Sequence, residues 1–428
     1  MLTVSRRNAT YRQVALGRAL LEFAGGLFVG ALLPWFIRVL LEPVQVSIDA
    51  QQNALFGTVA AVFAGQLSLR SLSRYPGTRA GYYVIPTFTV AYASVLLVFF
   101  LLRLEYSRIH FIASYLLCNA WYIWSAIWRS SQATLRIGVV PIGDTRGITR
   151  LPGVRWRVLP TPDVPLDAVD AVVADLRADV PDEWERTLAE IALSGTPVYH
   201  HKQIRESLTG QVELEHLSEN NFGSLIPQFS YVAVKRFVDT VAALLALVLL
   251  SPFLLLVAIA IKLDSPGPVL FRQERMGYRG RPFFVAKFRS MRHGAGPGGG
   301  DGRHGAMTKD GDDRITRVGR FIRKSRIDEL PQVWNVLKGE MSWIGPRPEA
   351  LVLSHWYEGE LPFYRYRHIV RPGITGWAQV NQGHVTDLDE VHAKLHYDFY
   401  YIRNFSLSLD ALIACRTVII MLTGFGSR

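Results

Sequence analysis

The chain has 428 residues, enough for two or three domains, and 49% of them are hydrophobic, a high share for a water-soluble enzyme. The net charge is +11, and residues 265–350 alone carry 17 Lys and Arg against 9 Asp and Glu. Because this basic segment follows an apolar stretch, we expect it to face anionic membrane lipids and a phosphorylated substrate, and we exclude nucleic acid as a partner. Cys118 and Cys415 lie in apolar stretches and indicate neither a disulfide nor a metal site.

Four apolar stretches occupy the N-terminal part of the chain, at 15–41, 54–69, 82–102 and 109–128. Three of them reach the roughly 20 residues that a membrane-spanning helix needs, and 54–69 must recruit flanking residues. The first stretch is too long for a cleaved signal peptide and contains Pro34 and Arg38. We therefore predict a four-helix transmembrane region over 1–132.

Arginines between these stretches predict their orientation. They are Arg6, Arg7, Arg12 and Arg18 before the first stretch, Arg70, Arg74 and Arg79 after the second, and Arg129 and Arg136 after the fourth. The linker 42–53 has neither Lys nor Arg, whereas Arg103 and Arg108 weaken the signal in the third loop. By the positive-inside rule, the N-terminus and everything after Arg129 face the cytoplasm.

Residues 133–228 predict a small α/β domain. Strands are expected at 135–140, 168–174 and 196–199, with a helix at 184–194. The turn 141–147 is similar to a Rossmann strand-to-helix turn but lacks the G-x-G-x-x-G spacing. This pattern favours a degenerate Rossmann-like domain with a regulatory or oligomerisation role over a cofactor site, and a homo-oligomer stays open.

The stretch 237–263 is apolar apart from Asp239 and long enough to span a membrane. A full crossing would place the rest of the chain outside the cytoplasm. Ser251 and Pro252 lie at its midpoint, where proline removes an i to i−4 bond and a neighbouring serine can satisfy the freed carbonyl. We predict a re-entrant helix that breaks there and returns, with a proline-kinked span as the alternative.

Two further segments are interpreted from composition. The glycine-rich 293–306 has no Gly-Lys-Ser/Thr ending and predicts a mobile loop that covers an active site, rather than a phosphate cradle. Residues 407–422 predict an interfacial helix, with core packing as the alternative.

Two adjacent acids, Asp328 and Glu329, lie in the stretch 323–332 among Arg323, Lys324 and Arg326. Nearby cations are expected to lower the pKa of these carboxyls and keep them ionised, and an ionised Asp can be a nucleophile or a metal ligand. A solvated helix start is the alternative for such a pair.

The segments NVLKGEMSWIGPRP at 335–348 and RPGITGWAQVN at 371–381 follow the acidic pair. Together these motifs closely resemble the bacterial sugar transferases, the monotopic polyprenyl-phosphate phosphoglycosyl transferases, and the resemblance runs from 231 to the C-terminus. It implies a mainly α (α+β) cytoplasmic catalytic domain over 229–428 in a multi-pass protein of the bacterial inner membrane. The implied reaction moves hexose-1-phosphate from a UDP-hexose to undecaprenyl phosphate and releases UMP, as the first membrane step of exopolysaccharide, O-antigen or capsule assembly.

The resemblance also implies roles for individual residues. Asp328 would be the nucleophile that forms a covalent phosphosugar, and Glu329 would bind Mg²⁺, a hard ion that prefers carboxylate and phosphate oxygens. Residues implied around phosphate or substrate are Arg323, Arg347 and Asp398. Lys235 and Arg236 begin the re-entrant helix and are expected to contact the lipid phosphate or to act as snorkelling anchors.

Where many relatives have Gly after Val-Asn, this chain has Gln382, followed by Gly383 and His384. That loop is expected to shape the sugar site, and the sequence does not choose between UDP-glucose and UDP-galactose. Two other functions remain open: a metal-dependent membrane glycosyltransferase that releases UDP, and a scaffold of polysaccharide export without chemistry.

Overall fold

A computed structural model describes residues 17, 20–41, 48–72, 80–132, 135–145, 147–163, 169–212, 229–292, 314–383 and 387–423. The chain divides into two compact units, Met1–Gly210 and Gln211–Arg428. The predicted glycine-rich loop at 293–306 and His384 lie outside the described residues.

Four helices open the first unit. They are α1 (Leu20–Val39), which includes a π-helical turn at Phe28–Leu32, α2 (Ile48–Leu72), α3 (Ala80–Leu101) and α4 (Arg108–Gln132). Four helices of the described chain are long and apolar enough to cross a membrane: α1, α2, Gly81–Leu101 within α3, and Tyr231–Asp264 in the second unit. The protein is therefore a membrane protein. α2 has 25 residues, so the predicted stretch 54–69 does recruit its flanks, including part of the predicted linker.

The predicted fourth span lies in α4, which is a helix but less apolar than the others. Its polar residues face inward, because His110, Ser114 and Asn119 are buried. The His110 ring lies 3.3 Å from the Thr58 hydroxyl, and the Ser114 hydroxyl lies 2.7 Å from that of Tyr92. The exposed side of α4 is apolar, with Ile109, Ile112, Leu116, Trp124 and Ile127. These three polar residues thus reduce the overall hydropathy of α4 without reaching its outer surface.

Glycines bring α2 and α3 close together. A Cβ at Gly57 would lie 2.3 Å from the Phe99 ring, and one at Gly65 would lie 2.3 Å from the Phe88 ring. Helices that pack in a membrane favour small residues at such contacts, because these residues let side chains of the partner helix approach the backbone.

The rest of the first unit contains a parallel sheet of β1 (Leu135–Val139), β2 (Val154–Val158), β3 (Ala171–Ala174) and β4 (Val198–His200), in the order β2-β1-β3-β4. Alternate residues of β3 face opposite sides of the sheet. Val172 packs with α5 (Asp182–Leu193) on one face, and Val173 packs with Ile204 of α6 (His201–Thr209) on the other. The predicted α/β architecture is confirmed.

Two elements of this sheet domain were missed by the sequence analysis. β2 reads Val-Arg-Trp-Arg-Val and lies at the sheet edge, where Arg155 and Arg157 are exposed on one side. This alternation is the period-2 signal of a half-buried strand, and it was available in the sequence. α6 follows β4 without a linker, so strand and helix periodicities merge there.

The second unit is mainly helical and contains two small sheets. Its elements are α7 (Phe229–Asp264), β5 (Leu270–Met276), β6 (Pro282–Phe288), α8 (Arg317–Lys324), α9 (Val333–Lys338), β7 (Ser342–Ile344), α10 (Leu351–Glu360), β8 (Gly373–Thr375), α11 (Trp377–Asn381), α12 (Leu388–Arg403) and α13 (Leu407–Thr423). β5 pairs with β6 in antiparallel fashion, and β7 pairs with β8 in parallel fashion. A 3₁₀ turn, Ile327–Gln332, connects α8 with α9.

α7 is one continuous helix of 36 residues that contains Pro252. The predicted break into two helices is therefore wrong, although the predicted local chemistry is confirmed. Pro252 has no N–H to offer to the Val248 carbonyl four residues earlier, and the Ser251 hydroxyl donates to that carbonyl at 2.9 Å. The rescued carbonyl explains why the helix continues through the proline.

Both halves of α7 pack on the same small domain. Before Pro252, Ala243 is buried with Val285 of β6. After it, Val257 and Ile261 are buried with Phe288, which ends the same strand. The outward side of α7 stays apolar along its length, with Phe237, Leu244, Leu249, Leu256 and Leu263 exposed. Both halves of α7 therefore pack against residues of β6, while the opposite side of the helix stays apolar.

The C-terminal helix α13 was predicted to be either an interfacial helix or part of the core, and its two sides differ. Leu409, Leu412 and Ile413 are fully buried, so core packing holds for this face. Leu407 and Met421 are exposed, and an interfacial position for that side remains a prediction.

Candidate active site

The acidic pair lies on the 3₁₀ turn between α8 and α9. Arg326 takes a left-handed backbone conformation, with φ of 57°, and so turns the chain sharply after α8. Asp328 and Glu329 then fall in the first turn of the 3₁₀ segment, and the Glu329 N–H donates to the Arg326 carbonyl at 3.2 Å. The tight turn gives two adjacent carboxylates different surroundings.

Glu329 binds two cations at once. Its Oε1 accepts from Lys287 Nζ and from Arg347 Nη2, each at 2.9 Å, and its side chain is 13% exposed. Burial alone would raise the pKa of Glu329, but Arg347 and Lys287 outweigh it and hold that pKa well below its usual range. Glu329 is therefore ionised at any physiological pH.

Asp328 has the opposite environment. Among the described residues its carboxylate makes no hydrogen bond or ion pair. Burial and the charge of Glu329 raise the pKa of Asp328 to about 6, although Lys287, Arg323 and Arg347 partly oppose this. The expectation that flanking cations lower the pKa is wrong for Asp328. The pKa of Glu329 is low, but Arg347 and Lys287 lower it rather than the cations that flank it in sequence. At pH 7 Asp328 is still mostly ionised, by roughly ten to one.

Arg323 lies in the last turn of α8, just before the acids, and is half-buried. Its side chain makes no hydrogen bond or ion pair within the described ranges, yet its charge acts on Asp328. Arg323 is thus a cation near Asp328 that can still take up a ligand.

Arg347 is held in place by a chain of buried contacts. Arg367 Nη2 donates to the Arg347 carbonyl at 2.9 Å, and the Arg367 guanidinium pairs with Asp398 at 2.8 Å. The Arg367 and Asp398 side chains are each 2% exposed. Asp398 is therefore linked to Glu329 through Arg367 and Arg347.

Three cations of this site were missed by the sequence analysis. Lys287 lies in the apolar strand β6, and a lone lysine there was a usable signal. Arg275 on β5 donates to the Pro348 carbonyl, and burial beside Arg347 lowers its pKa to about 10. Arg367 carried no sequence signal, because it follows Arg365 in an ordinary polar run.

Lys235 and Arg236 lie away from the acidic pair's contacts. Lys235 is buried, and its Nζ lies 2.6 Å from an Asp410 carboxylate oxygen. Arg236 donates to the Val336 and Leu337 carbonyls at the end of α9, at 2.6 and 2.8 Å. Both residues nevertheless line a cavity of about 340 Å³ at the start of α7, together with Arg279, Arg371, Tyr278 and Phe405.

The carboxylates fit a magnesium ion only together with substrate phosphates. Oε1 of Glu329 already accepts from Lys287 and Arg347, so Asp328 and the second oxygen of Glu329 are the available ligands. Mg²⁺ commonly uses one or two carboxylates plus substrate phosphates and water. The surrounding cations would disfavour a metal that arrives without the phosphates.

A long apolar helix joined to a partly buried carboxylate pair among cations is typical of a membrane enzyme that binds anionic substrates. Residues 230–424 match the family model described as bacterial sugar transferase. Over 381 residues, 88% of each chain, the protein is 48% identical to a UDP-N-acetylgalactosamine-undecaprenyl-phosphate N-acetylgalactosaminephosphotransferase of Aeromonas hydrophila.

Other relatives match over shorter lengths. A UDP-glucose:undecaprenyl-phosphate glucose-1-phosphate transferase of Caulobacter vibrioides is 44% identical over 203 residues, 47% of this chain and 74% of its own. A protein of the same description in Escherichia coli (strain K12) is 43% identical over 187 residues, 43% of this chain and 39% of its own. The chain belongs to the bacterial sugar transferase family.

Proposed function

We propose that the protein transfers a hexose-1-phosphate from a UDP-sugar to undecaprenyl phosphate and releases UMP, in the assembly of a bacterial surface polysaccharide. This proposal rests on the different contacts of the two adjacent acids. Glu329 binds the two nearest cations, whereas Asp328 makes no hydrogen bond or ion pair within the described chain. An ionised, unpaired carboxylate beside cations is suited to attack phosphorus.

In the proposed first step, an Asp328 oxygen attacks the phosphorus that bears the sugar. A P–O bond to the carboxylate forms, the bond to the bridging oxygen breaks, and UMP leaves with the bonding electrons. In the second step, an oxygen of the lipid phosphate attacks the same phosphorus and Asp328 leaves as a carboxylate. The product is a lipid diphosphate sugar.

The cations support this chemistry by electrostatics. Charge on the transferring phosphoryl group is stabilised by preorganised cations, and guanidinium forks match phosphate geometry. Arg323 has the unpaired guanidinium described above, and Arg347 is fixed through Arg367 and Asp398. We assign phosphate binding to Arg323 and Arg347 and a positioning role to Asp398. A bound Mg²⁺, held by Asp328 or Glu329, would neutralise pyrophosphate charge.

We place the protein in the bacterial inner membrane, with the acidic pair on the cytoplasmic side. α7 packs on its own domain before and after Pro252 while its outer side is apolar. This arrangement supports a helix that enters the membrane without carrying the domain across. The cations of the cavity at the start of α7 suit the phosphate of a lipid, the contact proposed for Lys235 and Arg236.

The nucleotide product tests the reaction class. Full-length protein in nanodiscs is incubated with undecaprenyl phosphate and with UDP-glucose, UDP-galactose or UDP-N-acetylgalactosamine. The last donor is included because the relative that matches 88% of this chain has it in its name. Release of UMP supports the proposal, release of UDP favours a glycosyltransferase, and no nucleotide release with any donor favours a scaffold.

The covalent step is tested without the acceptor. Donor labelled in the phosphate next to the sugar should leave label on the wild-type protein as an acyl phosphate that hydroxylamine removes. Asp328→Asn should abolish this label and reduce turnover by at least roughly a thousandfold, whereas the exposed Glu360→Gln should keep both. Label that survives in Asp328→Asn would overturn the assignment of the nucleophile.

A further inference from the structure

A group of ligand-type side chains lies at the carboxyl edge of the parallel sheet, in a different unit of the chain from Asp328. Asp175 directly follows β3, His200 ends β4, and His201 begins α6. In open parallel sheets, ligands bind outside the carboxyl ends of strands near the point where strand order reverses. The order β2-β1-β3-β4 reverses between β1 and β3, so Asp175 lies beside that point.

The three side chains converge without bonding to one another. His200 Nε2 lies 3.4 Å and His201 Nδ1 lies 3.7 Å from Asp175 Oδ1. Neither ring nitrogen has a hydrogen-bond partner in the part of the chain that the structure describes, and the His201 side chain is only 3% exposed. A buried polar atom without a partner is uncommon and requires an explanation. Here two such atoms face one carboxylate.

The distances from the two ring nitrogens to the carboxylate are close to those between ligands of one metal ion. With bonds of 2.0–2.2 Å in a tetrahedral arrangement, neighbouring ligand atoms lie about 3.3–3.6 Å apart, close to the two nitrogen–oxygen separations above. One ligand atom from each of the three residues lies within 4.8 Å of the others. We propose that Asp175, His200 and His201 bind a Zn²⁺-type transition-metal ion, with the fourth position left for water or another ligand.

Neighbouring backbone groups orient the carboxylate. Asp175 Oδ2 accepts from the Asp144 N–H at 2.9 Å, and Oδ1 accepts from the Arg177 N–H at 3.1 Å. Gly143, with φ of 65°, permits this approach, because a Cβ there would lie 2.4 Å from Asp175 Oδ2. Such outer contacts fix the ligand orientation in metal sites.

The ligand atoms and the charges around them favour one type of metal ion. Asp144 adds a second carboxylate nearby, whereas Arg177, Lys202 and Arg205 add positive charge. Mg²⁺ and Ca²⁺ depend on several oxygen ligands, which this site lacks. Zn²⁺, Co²⁺ and Ni²⁺ bind imidazole nitrogen strongly, and the site therefore favours them.

Metal binding has one local consequence for α6. His200 Nδ1 accepts from the Lys202 N–H at 3.1 Å and so caps the helix. A neutral imidazole that binds metal through Nε2 carries its proton on Nδ1, and it then no longer accepts that bond. Metal occupancy thus competes with the cap and links the site to the start of α6.

The test uses purified full-length protein without a polyhistidine tag, and Zn²⁺ or Co²⁺ alone as the probe. We expect one tightly bound equivalent, visible d–d absorption with Co²⁺, and a higher Tm with Zn²⁺. Asp175→Asn and His201→Gln should weaken binding by more than the roughly 10–100-fold that outer-shell changes cost. His355→Ala, which removes an exposed histidine from the other unit, should bind like the wild type.

The proposal stands apart from the transferase reaction, because every readout is metal binding. Folded wild-type protein that binds neither ion would overturn it, as would equal binding by wild type and both variants. X-ray absorption of the Zn²⁺-loaded wild type gives a check that needs no variant. Two imidazole ligands on the ion support the site, and an ion without imidazole ligands would refute it.

Discussion

At the level of single residues, adjacent acids acquire opposite properties from tertiary contacts. The sequence places three cations just before Asp328, yet the two closest contacts of the acidic pair go to Glu329. Because Lys287 comes 42 positions before Glu329, no local rule predicts that pairing. The motif therefore identifies Asp328, Glu329 and Arg347, whereas the partners that set the pKa values depend on the fold.

The pKa of Asp328 predicts a pH dependence. A nucleophile must be ionised, so kcat/KM should fall as pH decreases through about 6, where Asp328 takes up a proton. Arg323 helps to keep this pKa from rising further, so Arg323→Gln should move the acid limb of the profile to higher pH. The exposed Arg320→Gln on the same helix is the control. An unchanged acid limb in Arg323→Gln would show that Arg323 does not act on Asp328.

Asp398 predicts a stability effect coupled to activity. Asp398→Leu leaves the Arg367 guanidinium buried without its carboxylate, and loss of one partner of a buried pair costs about 3–5 kcal/mol. Tm should fall clearly, and donor turnover should fall with it because Arg347 loses its support. Asp389→Asn, exposed on the same helix, should change neither. A stable Asp398→Leu protein with full activity would contradict the positioning role.

At the level of elements, the apolar helices, α5, and the strands β1, β3 and β4 followed from hydropathy and periodicity, whereas the elements between α7 and α13 were not predicted individually. Pro252 predicted a break, but the Ser251 hydroxyl satisfies the carbonyl that proline leaves open. β2 was missed because its two arginines resemble a loop, although an edge strand accommodates exposed charges on one face. The Asp175, His200 and His201 group was invisible in the sequence, since only the parallel pairing of β3 and β4 brings it together.

The Ser251 contact predicts a coupled pair of substitutions. Ser251 is exposed on α7, and in the proposed membrane position its side of the helix faces lipid, where no water replaces a lost hydrogen bond. Ser251→Ala should therefore destabilise the protein by about 1–3 kcal/mol, the cost of an unsatisfied polar group outside water. Pro252→Leu restores the N–H, so Ser251→Ala in that background should cost little. Thermal unfolding of the four proteins in one detergent forms a double-mutant cycle. Additive effects would show that the hydroxyl does not serve the carbonyl opened by proline.

At the level of the whole molecule, the two units share one prediction about topology. The arginine distribution and the packing of α7 on its own domain both favour N- and C-termini in the cytoplasm. Reporters fused at each end should therefore both give cytoplasmic signals. A reporter that is active only in the periplasm, fused at the same ends, serves as the control for export. A C-terminal reporter on the outside would mean that α7 crosses the bilayer.

The outward apolar side of α7 also determines how the enzyme meets its two substrates. A domain fixed at the bilayer surface by this helix searches for a lipid in two dimensions, whereas a nucleotide sugar arrives from the bulk solution in three. The lipid concentration that governs encounter is then a mole fraction in the membrane. Added inert phospholipid dilutes the acceptor for this enzyme even when the amounts per litre stay constant.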